Sequence, residues 1–373
     1  MPAAPRPLNP AEKLDWLRLL RSENVGPVTF YQLLARYGSA GAALEALPEV
    51  ARRGGRDRAL TLFPKPAAER ELAALDRAGA RLVAWGEPDY PTALAAIDDA
   101  PPLLSIRGKA EILQRPAIAV VGARNASANG RRFARDMALQ LGQRGLVVVS
   151  GLARGIDTAA HEGAMPTGTV AVLAGGIDSV YPEENRELHE AIAERGALVA
   201  EMPVGTVPQA RHFPRRNRIV SGCALGVLVV EAALRSGSLI TARFAVEQGR
   251  EVFAVPGSPL DPRCRGTNDL IRRGAALTET AEDVVAQLGG PLAALPAGRR
   301  TPLPEAPEPA PAGDVEVAAA RRRVLERLSP TPVPVDELIR ECQLTPALTL
   351  NILLELELAG RLERQAGNLV ALL

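Results

Sequence analysis

The fold is decided by residues 117–130, AIAVVGARNASANG. This stretch begins with an unbroken apolar run, Ala117 to Val121, and turns at Gly122 into a helical pattern. Apolar, β-branched runs that are separated by helical stretches are typical of a parallel sheet covered on both faces. We therefore predict a doubly wound α/β domain over residues 82–288. The remaining runs are Leu146 to Val149, Thr169 to Leu173, Leu198 to Ala200, Gly226 to Val230 and Val252 to Val255.

Different patterns flank this domain. Leucines at helical spacing predict a helical domain over residues 1–81, and residues 289–314, rich in proline and alanine, predict an extended linker. Residues 315–373 predict a winged helix. Its expected elements are helices from Val315 to Leu328 and from Val335 to Cys342, a third helix capped by Thr345, and two short strands around Gly367 and Asn368.

Composition limits the classes of function. The chain has 373 residues, 44 Lys and Arg against 43 Asp and Glu, and a net charge of +1, so any binding of nucleic acid must come from local clusters of charge. The start lacks a signal peptide, and no run approaches the roughly 20 apolar residues that span a bilayer, which predicts a cytoplasmic protein without membrane insertion. The scattered cysteines and histidines predict no metal site, and we expect no cofactor.

Ligands of open α/β sheets bind where the parallel strands end, so the residues after each run are candidates. After the first run, Gly122 permits a tight turn, Arg124 suits phosphate oxygens, and Ser127 can cap a helix whose amides would hold an anion. An arginine replaces the second glycine of a dinucleotide fingerprint, so a dinucleotide is not expected. Arg124 could instead pair with a structural carboxylate.

The second run repeats this scheme, and the third run leads to two glycines. Gly151, Arg154 and Gly155 follow the second run, which predicts a groove lined by two arginines at adjacent strand ends. Asp157 could act as a general base, but capping of a helix is favoured. Gly175 follows the third run, where it either leaves room for a ligand or forms a plain turn.

The stretch from Arg211 to Gly222, RHFPRRNRIVSG, has the composition of a contact with nucleic acid. We predict a loop at the strand ends, in which arginines bind phosphates and an aromatic ring stacks on a base. A solvated loop without a ligand is the alternative. The candidate residues are Phe213, Arg215, Arg216, Asn217, Arg218 and Ser221.

These segments, in order, resemble the DNA-processing protein A (DprA/Smf) family: GARNAS, SGLARGID, LAGGID with YPEEN, FPRRNRIVSG, SGSLITA and VFAVPG. The resemblance spans about residues 122–257, and DYP and PPLLSIRG extend it upstream. It implies an extended Rossmann core, an N-terminal domain of the sterile-alpha-motif or helix-hairpin-helix type, and a C-terminal winged helix.

The resemblance also implies a function and site residues. It implies a homodimer that binds single-stranded DNA during natural transformation, in competent cells, and loads the RecA recombinase onto that DNA for recombination. It places DNA contacts at Arg124 and at Arg154, where many members have lysine. Some members carry a further basic residue near the YP motif, whereas Glu183 and Glu184 stand here. A basic contact from that loop is therefore in doubt, with Arg186 as a candidate.

The sequence disfavours two other functions. Related domains of the lysine-decarboxylase-like superfamily hydrolyse nucleotides through a PGGxGTxxE loop, but no PGG precedes Glu231. A passive scaffold is disfavoured by the arginines at the strand ends. We expect no enzyme and no catalytic residue.

Two features of the end domains allow alternatives. The turn Asn24-Val25-Gly26-Pro27 could present amides to a phosphate, but packing is favoured. The third helix of the winged helix lacks lysine and arginine and is rich in leucine. Because groove-reading helices need cations near the phosphates, we predict that this helix contacts protein, either a second copy of the chain or a partner.

Overall fold

The computed structural model describes residues 7–56, 58–293, 314–365 and 368–373. These residues form two compact units. One unit joins residues 8–69 to the residues from 314 onward, and the other begins at residue 70 and contains the large sheet. Most of the predicted linker and Gly367 lie outside the described residues.

The first unit combines a helical N-terminal domain with a winged helix. Helix α1 begins with a capping box, in which the Asn9 side chain accepts from the Glu12 amide and the Glu12 carboxylate accepts from the Asn9 amide. In the winged helix, Thr345 caps the third helix as predicted, and Gly360 follows it with φ of 72°. The helices of the N-terminal part are α1 (Pro10–Arg21), α2 (Pro27–Tyr37) and α3 (Ala40–Arg53). Helix α4 (Lys65–Arg77) begins in this unit and continues into the second unit. The winged helix consists of α12 (Asp314–Arg327), β10 (Val333–Pro334), α13 (Val335–Cys342), α14 (Pro346–Leu358), β11 (Leu362–Gln365) and β12 (Leu369–Leu372).

The second unit is a nine-stranded sheet with the order β1-β2-β6-β5-β4-β3-β7-β8-β9. The strands are β1 (Ala80–Ala84), β2 (Leu103–Gly108), β3 (Ala117–Val121), β4 (Val147–Ser150), β5 (Thr169–Leu173), β6 (Ala197–Ala200), β7 (Gly226–Val229), β8 (Glu251–Ala254) and β9 (Ala276–Leu277). The helices are α5 (Ala128–Gln143), α6 (Ile156–Ala164), α7 (Arg186–Arg195), α8 (His212–Gly222), α9 (Gly237–Glu247), α10 (Arg265–Arg272) and α11 (Ala281–Ala293).

The predicted doubly wound parallel sheet is confirmed. Strands β3 to β8 correspond to the six apolar runs, and they pair in parallel with hydrophobic clusters on both faces. The sheet also has an antiparallel edge, because β1 pairs with β2 and β2 pairs with β6 in opposite directions. The chain reverses its winding between β3 and β7, so the ends of these strands form the crevice where such sheets bind ligands.

One local prediction was wrong. Residues 212–222 form helix α8 and not a loop. Pro214 stands in the first turn of that helix, where a proline removes no intrahelical hydrogen bond. The side chains of this stretch therefore point in several directions, and some of them enter the core.

Candidate nucleic-acid interface

The β3–α5 loop carries the first exposed cation of the site. Arg124 is exposed, and its Cζ lies 4.7 Å from the centroid of the Phe213 ring. The Phe213 ring in turn lies 5.7 Å from the Tyr181 ring, and Tyr181 is 47% exposed. No carboxylate forms an ion pair with Arg124 within the described part of the chain. A cation above one aromatic ring, with a second ring beside the first, can bind a phosphate while the rings stack on bases.

The second predicted arginine belongs to the adjacent strand end. The Ile156 amide donates to the Ala123 carbonyl at 3.2 Å, so the β4–α6 loop lies directly against the β3–α5 loop. Arg154 projects from the β4–α6 loop, with its side chain 61% exposed. Its Nε donates to Oε1 of Glu184 at 2.8 Å. The structure therefore brings the loops of Arg124 and Arg154 together, and an acidic partner accompanies Arg154.

A third arginine lies beneath these loops. Arg216 is 6% exposed, and its Nη1 donates to the Val172 carbonyl at 3.0 Å. Its buried Nε has no hydrogen-bond partner among the described residues. Burial lowers the pKa of Arg216 to about 10, with Asp157 opposing this shift and Arg124 adding to it. At that pKa the guanidinium remains charged at neutral pH, so a positive charge lies below the groove.

Asp157 and His161 surround this buried cation. Asp157 Oδ2 accepts from the amides of Gly151 and Ala153 at 3.2 and 3.4 Å, so it stabilises the loop before α6. The favoured prediction that Asp157 caps a helix was wrong, because Gly155 is the N-cap residue of α6 and no side chain caps it. Burial raises the pKa of Asp157, although Arg216 opposes the shift. Burial and then Arg216 lower the pKa of His161 to about 3, so this imidazole is neutral. His161 Nδ1 lies 2.7 Å from Thr169 Oγ1.

The glycines of the strand ends serve packing within the chain. A methyl group at Gly122 would lie 2.6 Å from the Ile156 side chain, and one at Gly151 would overlap the Arg216 guanidinium. At Gly155, with φ of 80°, it would overlap the Ala123 carbonyl, and at Gly175 it would lie 2.5 Å from the Thr206 carbonyl. For Gly175, where the sequence allowed either room for a ligand or a plain turn, this contact favours the turn, because the chain itself fills the space.

The N-terminus of α5 also differs from the prediction. Ser127 caps this helix as expected, because its Oγ accepts from the Gly130 amide at 2.8 Å. The same hydroxyl donates to Glu231 Oε1 at 2.6 Å, and the Ser127 amide donates to Oε2 at 2.9 Å. Glu231 is 7% exposed. A buried carboxylate thus occupies the position where an external phosphate was predicted, so Ser127 is already engaged within the protein.

Helix α8 separates the predicted cluster of arginines. Arg218 is buried, and its Nη2 donates to Glu201 Oε1 at 2.6 Å, whereas Arg215 is partly exposed and binds Glu201 Oε2 through Nε at 3.0 Å. Burial raises the pKa of Glu201, but Arg218 and Arg215 outweigh it and leave the pKa below its ordinary value. Arg218 therefore stabilises the core, which corrects its predicted contact with DNA.

Two polar residues of α8 also bind within the chain. Ser221 is fully buried, and its Oγ donates to the Arg218 carbonyl at 3.1 Å, so the structure contradicts its predicted contact with DNA. Asn217 Nδ2 donates to the Gly237 carbonyl at 3.2 Å. Of the predicted stretch, Phe213 borders the groove directly and Arg216 supports it from below.

Two depressions follow the carboxyl ends of the strands. The smaller one, about 10 Å³, lies at β4 and β5 and is bordered by Gly151, Gly175, Tyr181 and Phe213. The larger one, about 530 Å³, lies on the other side of β3, between α5 and the ends of β7 and β8. Its walls include Phe133, Met137 and Glu231 and none of the predicted arginines. Tyr181 and Phe213 line the smaller depression, and Arg124 lies beside it because its guanidinium stacks on the Phe213 ring. This depression, with the loops of Arg124 and Arg154 beside it, is the groove of the candidate interface.

Sequence comparisons identify the family of this chain. The family model described as DNA recombination-mediator protein A matches residues 81–289. The chain belongs to the DprA family. A DprA-like N-terminal HHH domain matches residues 10–74, and a DprA winged helix domain matches residues 304–368. All three parts of the predicted architecture are thus found in the family.

Curated relatives and solved structures agree with this assignment. The chain is 39% identical over 315 residues to Protein Smf of Escherichia coli, with 83% of this chain and 82% of that protein covered. It is 45% identical over 200 residues to DNA processing protein DprA of Streptococcus pneumoniae, with 53% of this chain and 71% of that protein covered. The DprA crystal structure from Streptococcus pneumoniae aligns with a TM-score of 0.62 and 34% identity, over 76% of this chain and 99% of that one.

A DprA structure from Helicobacter pylori aligns with a TM-score of 0.52 and 28% identity, covering 57% of this chain and 96% of that one. That study describes a single-stranded DNA binding mode of the Helicobacter protein. The relatives from Streptococcus pneumoniae and Bacillus subtilis are named DNA processing protein DprA. None of the helices described for this chain is both long and apolar enough to cross a membrane.

Sequence reasoning missed several residues of this site. In the sequence, Tyr181 is visible only as part of the YPEEN segment, although its exposed ring next to Phe213 offers a second stacking surface. In the sequence, Glu184 is visible only as an acidic residue where some family members carry a basic one, whereas in the structure it pairs with Arg154. No local sequence pattern marks Glu231 as a residue of this site, because its partner Ser127 is 104 residues away in sequence.

Proposed function

We propose that this protein binds single-stranded DNA at the strand ends of its Rossmann-like core. The proposal depends mainly on Arg124, an exposed cation without an acidic partner among the described residues, above the Phe213 ring. Arg154 and the buried charge of Arg216 add to the positive potential of the groove, and Tyr181 extends the aromatic surface. Arginines that neutralise phosphates and rings that stack on bases bind single strands with little preference for sequence.

The site residues of this proposal follow from the geometry. Arg124, Arg154, Phe213 and Tyr181 contact the DNA, and Arg215 is a further exposed cation at the same end of α8. Arg216 acts from below, because its guanidinium is buried. The loop glycines shape the groove through their packing.

Delivery of the strand to a recombinase is the second part of the proposal. We infer a cytoplasmic homodimer that protects incoming single-stranded DNA and loads RecA onto it during natural transformation. This part rests on membership of the DprA family. Sedimentation at micromolar concentration should reveal a dimer, and RecA should form filaments faster on DNA carrying this protein. A purely monomeric profile would contradict the dimer.

An enzymatic function in nucleotide hydrolysis is disfavoured by one contact. The buried carboxylate of Glu231 binds the Ser127 amide at the start of α5, where the phosphate of a bound nucleotide would need to accept that hydrogen bond. Incubation with nucleoside monophosphates should therefore release no free base. Release of free base that Glu231→Gln abolishes would support the hydrolase instead.

Gel shifts with single-stranded and duplex oligonucleotides of equal length test the binding directly. We expect tighter binding of the single strand, no change on addition of EDTA, and a fall in log affinity of about 0.7 per neutralised phosphate for each unit of log salt. An affinity independent of salt would reject a groove that works by charge.

A further inference from the structure

The third helix of the winged helix has two buried apolar faces. Ile352, Leu353 and Leu356 belong to the core of the winged helix itself. Leu354 and Leu358 are also buried, at 2% and 0% exposed, but they lie outside that cluster. Because residues four apart share a face of a helix, these two leucines define a second face of α14.

The N-terminal helical domain covers this second face. Helix α14 packs against α3, and Gly54 at the end of α3 touches the α14 backbone. A methyl group at Gly54 would overlap the Glu355 carbonyl and lie 2.9 Å from the Ala359 methyl. Arg361 Nη1 also donates to the Gly54 carbonyl at 3.4 Å. Only a glycine lets these two backbones approach so closely.

The turn between α1 and α2 contributes a second set of contacts. Asn24 Nδ2 donates to the Leu358 carbonyl at 3.1 Å, which provides a partner for a carbonyl in the last turn of α14. Asn24 has φ of 62°, a left-handed conformation that asparagine tolerates. Arg36 Nη1 lies 3.5 Å from Asn351 Oδ1. The turn whose amides could have faced a phosphate thus lies against the winged helix.

The acidic residues of α14 are neutralised within the winged helix. Glu355 pairs with Arg321 of α12, and Glu357 pairs with Arg364 of β11 at 2.9 Å. The helix itself has no lysine or arginine. A helix in the major groove needs cations near the phosphates, and α14 offers apolar residues and paired carboxylates instead.

We propose that α14 is a docking helix for the N-terminal domain of the same chain, and that it binds this domain in place of duplex DNA. The earlier prediction named a second copy or a separate partner, and the contacts with α3 and Asn24 identify the occupant as the chain's own N-terminus. The two ends of the chain thereby form one module, although more than 230 residues separate Glu69 from Thr301.

Two glycine-to-alanine substitutions, each adding one methyl group, test this docking in the full-length protein. Gly54→Ala places a methyl group in the interface, and its φ of −68° suits alanine. Gly26→Ala is the matched control, because the space at Gly26 is open and its φ is −91°. Hydrogen exchange of residues 346–358 should become at least about tenfold faster in Gly54→Ala and stay unchanged in Gly26→Ala. Equal protection of these residues in both variants would overturn the proposal.

A second variant covers the case in which Gly54→Ala also loosens α1. Asn24→Gly keeps the left-handed conformation and removes only the hydrogen bond to Leu358. We expect it to speed exchange at the C-terminal end of α14, and no change there would count against docking. Duplex affinity should stay the same in all three variants. A gain of salt-dependent duplex binding in Gly54→Ala would show that α14 reads DNA once it is released, which contradicts the proposal.

Discussion

Removal of the acidic partner of Arg154 should strengthen binding of single-stranded DNA. Glu184 accepts from Arg154 Nε at 2.8 Å, and both side chains are more than half exposed, at 61% and 55%. An exposed ion pair of this kind stabilises a protein by only about 0.2–1 kcal/mol. A phosphate that binds Arg154 must displace this carboxylate and lie close to its negative charge. Glu184→Gln should therefore raise the affinity by up to about fivefold, since 1.4 kcal/mol corresponds to a factor of ten.

The chain offers a matched control for this effect. Glu183 is 73% exposed and pairs with Arg186 at 2.7 Å, so Glu183→Gln removes the same charge one residue away and frees Arg186 instead of Arg154. Fluorescence anisotropy with a labelled oligonucleotide at about 0.15 M salt would compare the two variants. The gain should also disappear in an Arg154→Ala background. Equal gains in both glutamine variants, or a gain that persists without Arg154, would refute direct competition between Glu184 and phosphate.

Four further predictions follow from the site. Arg124→Ala should weaken single-strand binding about tenfold or more, because a charged hydrogen bond contributes about 1.5–3 kcal/mol. The melting temperature should stay unchanged because the side chain is exposed, and a parallel loss of thermal stability would indicate a structural role. Phe213→Leu should weaken binding by at least about fivefold through lost stacking of about 1–3 kcal/mol, and an unchanged affinity would remove Phe213 from the interface. Arg218→Met should lower the free energy of unfolding by about 3–5 kcal/mol, measured by urea unfolding, because it leaves Glu201 buried without its closest partner. The pKa of Glu201 is lowered in the folded state, so the stabilisation that this ionised carboxylate provides is present above pH 4.5 and should be lost as the pH falls below that value. Truncation after about residue 290 should leave single-strand affinity within a few-fold, and a loss comparable to that of Arg124→Ala would assign DNA binding to the C-terminal module.

The sequence determined the parallel core of the sheet. Unbroken apolar runs such as Ala117 to Val121, separated by helical stretches, are typical of a sheet covered on both faces, so the six parallel strands followed from local pattern. Helix α8 and the antiparallel edge of the sheet did not. Thr345 and Gly360 marked the ends of α14 for equally local reasons, a side-chain cap and a left-handed residue. The exposed arginines at strand ends followed from the rule that loops after parallel strands meet at one edge.

Only the tertiary structure decided which polar residues face solvent. Arg215, Arg216 and Arg218 are close in sequence, but α8 turns successive side chains by about 100°, so one is exposed and two are buried. Glu231 at the start of α5 and the α14 helix against Gly54 both depend on partners more than 100 residues away in sequence. Local propensity has no information about such pairs, because the stabilising free energy arises only when the folded chain brings the two segments together.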